Sequence, residues 1–211
     1  MLKKLLGTSS FLVTLATLAT WAIATPAWAD NATPDALVRQ ISVDVIEAAK
    51  ADKAIQAGDV GRIVTLIDTK VLPSVNFEVM TRSAVGPKWR EASAEQRSKL
   101  QAEFKTLLVR VYAGALSQVK DQTVEVTKTL PVTGSSQVVV QTEVRGKGEP
   151  IKLDYRMDKP ATEPAWKIID VNVGGIWLVQ SYRSQFAGEI AKGGIDGLIS
   201  TLVERNKPGK S

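Results

Sequence analysis

Apolar positions recur at helical spacing in the first part of the chain, at a period of two in the middle, and at helical spacing again at the end. Thr33 followed by Pro34 reads as an N-cap with proline at the first helical position. Leu37, Ile41, Val45 and Ala48 then form one stripe. Gly58 and Asp59 interrupt it. Val60, Ile63, Val64, Ile67 and Val71 form a second stripe that stops at Pro73, and a short helix is expected from Asn76 to Ala84, ended by Gly86-Pro87. Ser93 and Gln96 have the spacing of a capping box. The helix they open carries Leu100, Phe104, Leu107, Leu108, Val111, Tyr112, Ala115, Leu116 and Val119 on one wide apolar face. A face that wide needs a large partner.

From Gln122 the period is two. Val124 and Val126 alternate with polar residues, and Val138, Val140, Thr142 and Val144 share one parity. Ile151, Leu153, Tyr155 and Met157 alternate with Lys152, Asp154 and Arg156, and Ala165 to Val173 is a fourth strand. Gly134, Gly146-Lys147-Gly148 and the stretch from Pro160 to Pro164 are turn signals. Sequential strands with one apolar face make a meandering antiparallel sheet. Gly174-Gly175 closes it. Val179, Tyr182, Phe186 and Ile190 predict another helix, Gly193-Gly194 a break, and Ile195, Leu198, Ile199, Leu202 and Val203 a final one. The class is therefore α+β, with a curved antiparallel sheet of about four strands covered by helices. An interior of valine, leucine and isoleucine can close tightly or leave an apolar cavity; the pattern alone favours the closed form.

The start of the chain sets where this domain works. Lys3 and Lys4 precede a charge-free run from Leu5 to Ala24, Pro26 breaks it, and Ala27-Trp28-Ala29 supplies small residues before Asp30. That is the layout of a secretory leader cleaved after Ala29. The division is then 1–29 signal peptide, 30–205 one domain, and 206–211 a polar, flexible tail. The leader holds two lysines and no acid, so the formal charge of +5 falls to +3 in the mature chain. That balance is too weak to argue for nucleic acid.

The chain has no cysteine and no histidine. Packing alone must hold an exported domain without disulfides, and no cysteine is present to carry a lipid anchor. Ser-His-Asp catalysis, Cys-His catalysis and histidine-bearing zinc sites are excluded. Asp170 lies within an apolar strand, but its parity differs from Ile169 and Val171, so it is expected to face solvent, as is Asp154. Gly174-Gly175 and Gly193-Gly194 lack the spacing of a phosphate-cradling loop.

One ordered set of residues goes further. Val71-Leu72-Pro73 leads through Phe77, Met80 and Arg82 to Gly86, Trp89 and Arg90. Gln96, Leu100, Phe104, Leu107, Leu108, Tyr112 and Ala115-Leu116 follow. After the sheet come Gly175, Val179, the Tyr182-Arg183-Ser184-Gln185-Phe186 run and Gly194-Ile195-Asp196-Gly197-Leu198. From about Pro34 to Val203 this resembles the MlaC family, also called toluene-tolerance auxiliary proteins. The resemblance implies a periplasmic, monomeric carrier that holds phospholipid as cargo and has no cofactor. It implies traffic between an outer-membrane lipoprotein–porin complex and an inner-membrane ABC transporter with a membrane-anchored substrate-binding subunit, maintaining outer-membrane lipid asymmetry. It implies a nuclear-transport-factor-like cone with an added helical subdomain and a lipid-filled interior, reversing the preference for a closed core.

The lining is then expected between the long helix and the apolar sheet face: Phe104, Leu108, Tyr112, Val140, Val144, Leu153, Tyr155, Ile169 and Val171. No catalytic or metal-binding residue is assigned. A diacyl lipid exposes roughly 30 methylenes at about 0.8 kcal/mol each, so crossing water unassisted costs on the order of 20 kcal/mol. Aliphatic walls tolerate varied tails, and phosphatidylethanolamine and phosphatidylglycerol should differ by under about tenfold. Arg90, Arg183 and Lys192 are read as solvated charges. Two rival readings stand beside the carrier: a carboxylate-based isomerase or dehydratase-like enzyme on the same cone, and a structural adaptor without ligand.

Overall fold

The computed structural model describes residues 32–160 and 164–207. The expected leader, its cleavage site and residues 208–211 lie outside the described residues. Among those described, no helix is long and apolar enough to cross a membrane.

Helix α1 spans Pro34–Ala51. Thr33 takes the N-cap position with extended backbone, but its side chain makes no capping bond. Asp52 then accepts from the backbone of Ala54 and Ile55 to start α2 (Lys53–Gln56). Asp59 caps α3 (Val60–Leu66), which runs on as a π-turn over Ile67–Val71 and a tight 3₁₀ turn over Leu72–Ser74 that contains Pro73. In α4 (Phe77–Val85) the Asn76 side chain accepts from Val79 N–H at 3.1 Å, and Gly86, at φ 73°, ends the helix in a conformation that favours glycine. Helix α5 (Ala94–Ser117) opens with a reciprocal capping box: Ser93 Oγ accepts from Gln96 N–H, and Gln96 Oε1 accepts from Ser93 N–H.

The sheet is antiparallel, as expected, and has five strands, the fifth a two-residue addition to the four read from the sequence. β1 (Thr123–Pro131), β2 (Val138–Arg145), β3 (Ile151–Asp158), β4 (Lys167–Val173) and β5 (Ile176–Trp177) lie side by side in chain order, all antiparallel. Gly174 and Gly175 form the two-residue turn into β5, with φ of 59° and 94°. Two consecutive positive φ values are what a tight hairpin of right-twisted strands requires. Thr127 is an extra residue between the paired Val126 and Lys128 of β1, and Ile169 an extra residue between the paired Ile168 and Asp170 of β4. Each is a bulge that changes parity along its strand.

Helix α6 (Leu178–Arg205) contains the expected break at Gly194, whose φ is 63° and ψ −160°. Thr201 Oγ1 donates to Glu189 Oε2 at 3.1 Å and Arg205 Nη1 to Gln185 Oε1 at 3.4 Å. In a straight helix positions 185 and 205 would stand about 30 Å apart. The chain therefore reverses at Gly194, and α6 is a helical hairpin whose second arm returns along its first. Gln96 to Asp196, and Asn206 to Glu103, tie that second arm to α5. Asn206, where the polar tail was expected to begin, is thus anchored, and Arg110 donates to the carbonyls of Asn206 and Lys207.

Among the described residues, buried apolar side chains gather in three clusters. One joins α4, the 3₁₀ turn Gly86–Arg90, α5 and both arms of α6, around Phe104, Phe186, Leu198 and Leu202. A second joins α1, α2, α3 and the middle of α5, around Ile63, Val109 and Ala113. A third joins α1 to the sheet through Val38, Val140, Met157 and Ile168. This corrects the reading of α5 as one continuous apolar face. The helix is covered from two sides, so Val109 and Ala113 are buried while Val111 is 55% exposed.

Candidate functional site

Cross-strand pairing fixes which sheet residues share a face. Val140 pairs with Tyr155 and Tyr155 with Val171; Val144 pairs with Ile151, and Leu153 with Val173. Paired residues project to the same side, so these stand on the inner face with Val138, Thr142 and Met157. Helix α1 covers one part of that face through Leu37, Val38 and Ile41. There Val140 and Met157 are fully buried. Burial pushes the Tyr155 phenol up to about 12, with Ser42 of α1 pulling the other way.

Farther along the same face the cover thins. Val144 and Leu153 are half-buried, and neither belongs to any of the three clusters. The buried Thr142 hydroxyl donates to the Leu153 carbonyl and so lies flat within the sheet. Val173, the partner of Leu153, packs against the cluster of α5 and α6, whose half-buried fringe also includes Leu108, Tyr112, Ile190 and Ile199. Val171 touches both that cluster and the one beneath α1. Helix α5 itself packs on α2, α3, α4 and α6, whereas the sheet is met by α1 on β1 and β2 and by α4 and α6 on β4. Leu153 thus adjoins Val173, and Val173, like Leu108 and Tyr112, borders the cluster that α6 shares with α5.

The nine expected lining residues fall into two groups. Phe104, Val140 and Ile169 are closed off: Phe104 at the centre of an aromatic cluster, Val140 beneath α1, and Ile169 at the β4 bulge. Leu108, Tyr112, Val144, Leu153, Tyr155 and Val171 are half-buried. Ile169 does not share the Val140 cluster; Ile168 takes that place, because the bulge shifts parity by one residue. Two open clefts on the surface are polar and lie elsewhere, one between the start of α5 and the second arm of α6 (Gln96, Lys99, Asp196), the other at Asn76, Glu78 and Lys167.

Asp170 overturns its expectation. It does stand on the outer face, but it is 6% exposed. The β5 turn and the start of α6 fold over it, and its Oδ1 accepts from Val171 N–H at 2.8 Å and Val179 N–H at 3.0 Å. It is therefore the anion at the N-terminus of α6, where Trp177 takes the N-cap position but makes no side-chain capping bond. Burial holds its carboxyl above the ordinary carboxylate value, and the two backbone donors and Arg156 pull the other way. Arg156, its cross-strand partner, sits over the Trp177 ring at 4.6 Å. Asn172 is buried beside it and accepts from Gly175 N–H, fixing the turn. Parity alone could not reveal a cover made by residues that come later in the chain.

Sequence reasoning also missed Tyr182 as more than a core residue. It is 8% exposed, and its ring meets Phe104 edge-on at 5.0 Å. Of the three expected solvated charges, Lys192 pairs with Glu189 at 3.3 Å and Arg90 and Arg183 are exposed.

Comparison with known proteins agrees with this architecture. A family model described as "MlaC protein" matches residues 39–204. The Haemophilus influenzae intermembrane phospholipid transport system binding protein MlaC is 24% identical over 173 residues, 81% of each chain. The Pseudomonas putida toluene tolerance protein ttg2D is 25% identical over 165 residues, 78% of this chain and 76% of that one. A phospholipid-binding protein from Ralstonia solanacearum, solved in complex with a phospholipid, is 39% identical and superposes with a TM-score of 0.78, covering 83% of this chain and 97% of its own. The family model spans more than three quarters of the chain and the solved fold covers 83% of it: this chain belongs to the MlaC family.

Proposed function

We propose that this chain is a periplasmic phospholipid carrier, exported by a leader cleaved after Ala29, that shields acyl chains while lipid moves between a lipoprotein–porin complex in the outer membrane and an ABC transporter in the inner one. The observation that carries the reading is the 39% identical Ralstonia protein, whose structure contains a phospholipid within the same fold. The half-buried apolar side chains Val144 and Leu153 on the sheet and Leu108 and Tyr112 on α5 support it, because such surface gains when acyl chains cover it. The carrier does no chemistry on its cargo. With no histidine or cysteine, proton transfer would fall to carboxylates, lysine or tyrosine, and buried Asp170 already serves the start of α6.

Native mass spectrometry of protein recovered from the periplasm of an expressing Gram-negative host tests this. The mass should correspond to a chain beginning at Asp30, carrying a glycerophospholipid released on denaturation. A protein that never yields lipid, from any preparation, would defeat the carrier reading and leave the adaptor.

A photo-crosslinking residue at Leu153 should capture that lipid, and one at the neighbouring Lys152, which points to the outer face, should not. Equal capture at both positions would mean that the inner sheet face at Leu153 is not where the lipid lies.

A further inference from the structure

We infer that Arg82, Arg90 and Arg183 form the face by which this chain docks on an acidic protein surface, presented by one of the membrane complexes with which it exchanges lipid. The inference rests on the carrier reading and adds a docking surface to it.

The residues singled out in the sequence from Phe77 onward divide in two. Met80, Trp89, Leu100 and Phe104 are buried, and packing accounts for them. Arg82, Arg90 and Arg183 are exposed, and none makes an ion pair or a side-chain hydrogen bond among the described residues. Other cations have found carboxylates: Arg62 holds Asp52 at 2.6 Å, Lys105 holds Asp68 at 3.0 Å, and Arg145 holds both Glu125 and Glu143.

The 3₁₀ turn Gly86–Arg90 brings the three arginines together. The Gly86 N–H donates to the Arg82 carbonyl, so Arg82 stands one helical turn before it on α4. Arg183, from the first arm of α6, lies against Gly86: a Cβ at Gly86 would be 3.5 Å from its Nε and 3.8 Å from its Nη2. Arg90 ends the same turn. The turn is firmly seated, because Trp89 within it is buried in the principal cluster. Arg97 of α5 holds it from outside, donating to the Trp89 carbonyl at 3.2 Å and the Arg90 carbonyl at 3.4 Å, and its guanidinium stands over the Trp89 ring at 5.5 Å. That adds a fourth positive charge. The nearby carboxylates do not neutralise it. Glu91 is held by Lys88 at 2.7 Å and Glu95 by Lys99 at 2.9 Å. Glu78, one turn before Arg82, makes no ion pair with it and lines the cleft at Asn76 and Lys167.

Like charges gathered without counter-ions repel one another and attract an oppositely charged partner from a distance. Guanidinium forks pair with carboxylates through two parallel bonds, and arginine is enriched at protein interfaces where lysine is depleted. An anionic bilayer would also attract the patch, but stable seating on a lipid surface needs apolar side chains that enter it. The large exposed apolar side chains among the described residues, such as Val111, Ile151, Ile176 and Val203, stand on other elements: none is on α4, the 3₁₀ turn or the first arm of α6. The chemistry therefore favours a protein. A turn already held on its buried base loses little freedom on docking.

The mature chain is tested against the lipoprotein–porin complex and the ABC transporter, each immobilised in nanodiscs, and against vesicles of phosphatidylethanolamine and phosphatidylglycerol. Biolayer interferometry follows association at about 0.1 M and about 1 M salt. The wild type should bind at least one complex, and less tightly at the higher salt. Arg82→Gln, Arg90→Gln and Arg183→Gln together should weaken that binding at least about tenfold, chiefly through slower association. Lys50→Gln, Lys70→Gln and Lys152→Gln remove the same charge at exposed positions elsewhere and should weaken it less than about threefold. The double variant Arg82→Gln with Arg90→Gln leaves Arg183 on Gly86; it should lose binding several-fold and melt with the wild type. Equal loss in the two triple variants overturns the inference, and so does unchanged binding in the arginine variant. Loss in the double variant that comes with a lowered melting temperature would assign the arginines to the fold and overturn it as well. Arginine-dependent binding to the vesicles, with none to either complex, would make this a lipid-surface site and overturn it too. If the wild type carries lipid but docks on neither complex, this inference falls alone. If it yields no lipid yet docks through the arginines, the carrier reading falls and the surface stands as that of an adaptor.

Discussion

Phe104→Ala is expected to lower stability by about 4 kcal/mol, the middle of the range for a fully buried aromatic reduced to alanine. Phe104 is 0% exposed and stands among Phe77 at 5.7 Å, Tyr182 at 5.0 Å and Phe186 at 5.2 Å, the last two edge-on. Removing the ring takes away its own burial and the edge-to-face contacts that order its neighbours. The space left cannot collapse easily, because α5 is held at its start by the capping box and the Gln96–Asp196 bond, and along its middle by α2 and α3. Urea unfolding followed by far-ultraviolet dichroism measures the loss. A cost under about 2 kcal/mol would mean that the cluster relaxes around the gap and that the aromatic contacts are incidental.

Asp170→Ala should cost about 2–3 kcal/mol, whereas Asp170→Asn should cost much less. Alanine leaves the N–H groups of Val171 and Val179 without their acceptor in a buried place, at a penalty of about 1–3 kcal/mol each before solvent relaxes in. Asparagine keeps an oxygen in the same position. The same pair of variants reads the pH dependence. Burial raises the Asp170 carboxyl in the folded state above its unfolded value. The folded protein therefore holds this proton more tightly than the unfolded chain does. The stabilisation is fully present below the unfolded value and is lost as pH rises through the folded one. The wild type should accordingly lose ground to Asp170→Asn between acid and neutral pH. A difference that is flat with pH, or that grows in favour of the wild type on the way to neutrality, would falsify the assignment of a raised carboxyl.

What could be read from the sequence was local. Ser93 and Gln96 specify the start of α5 within three residues, and both capping bonds are present. The alternation of Val138, Val140, Thr142 and Val144 names the inner face of β2 because no bulge interrupts that strand. β4 was misread for the opposite reason. The extra Ile169 puts Ile168, and not its neighbour, in register with Met157, and nothing in an unbroken apolar run marks a bulge. The candidate site was named by parity, which chooses a face but not what covers it. Val140 and Leu153 look equivalent in the alternation, yet α1 buries the first and leaves the second half open. Asp170 and Tyr182 depend on residues far along the chain, and Asp170 in particular on a helix that begins eight positions later.

The return of α6 along itself has a consequence for the order in which the chain can mature. The principal cluster takes Ala84 and Trp89 from before α5, Phe104 from within it, and Leu198 and Leu202 from the second arm of α6. Synthesis runs from the N-terminus, so the residues that close this cluster are the last of it to arrive. Until they do, Phe104 and Phe186 have no complete surroundings, and the growing chain has little to gain by closing early. Under the export proposed above, which would thread the chain through a membrane unfolded, a lock whose final tumbler comes only after Gly194 keeps the chain open until it has passed.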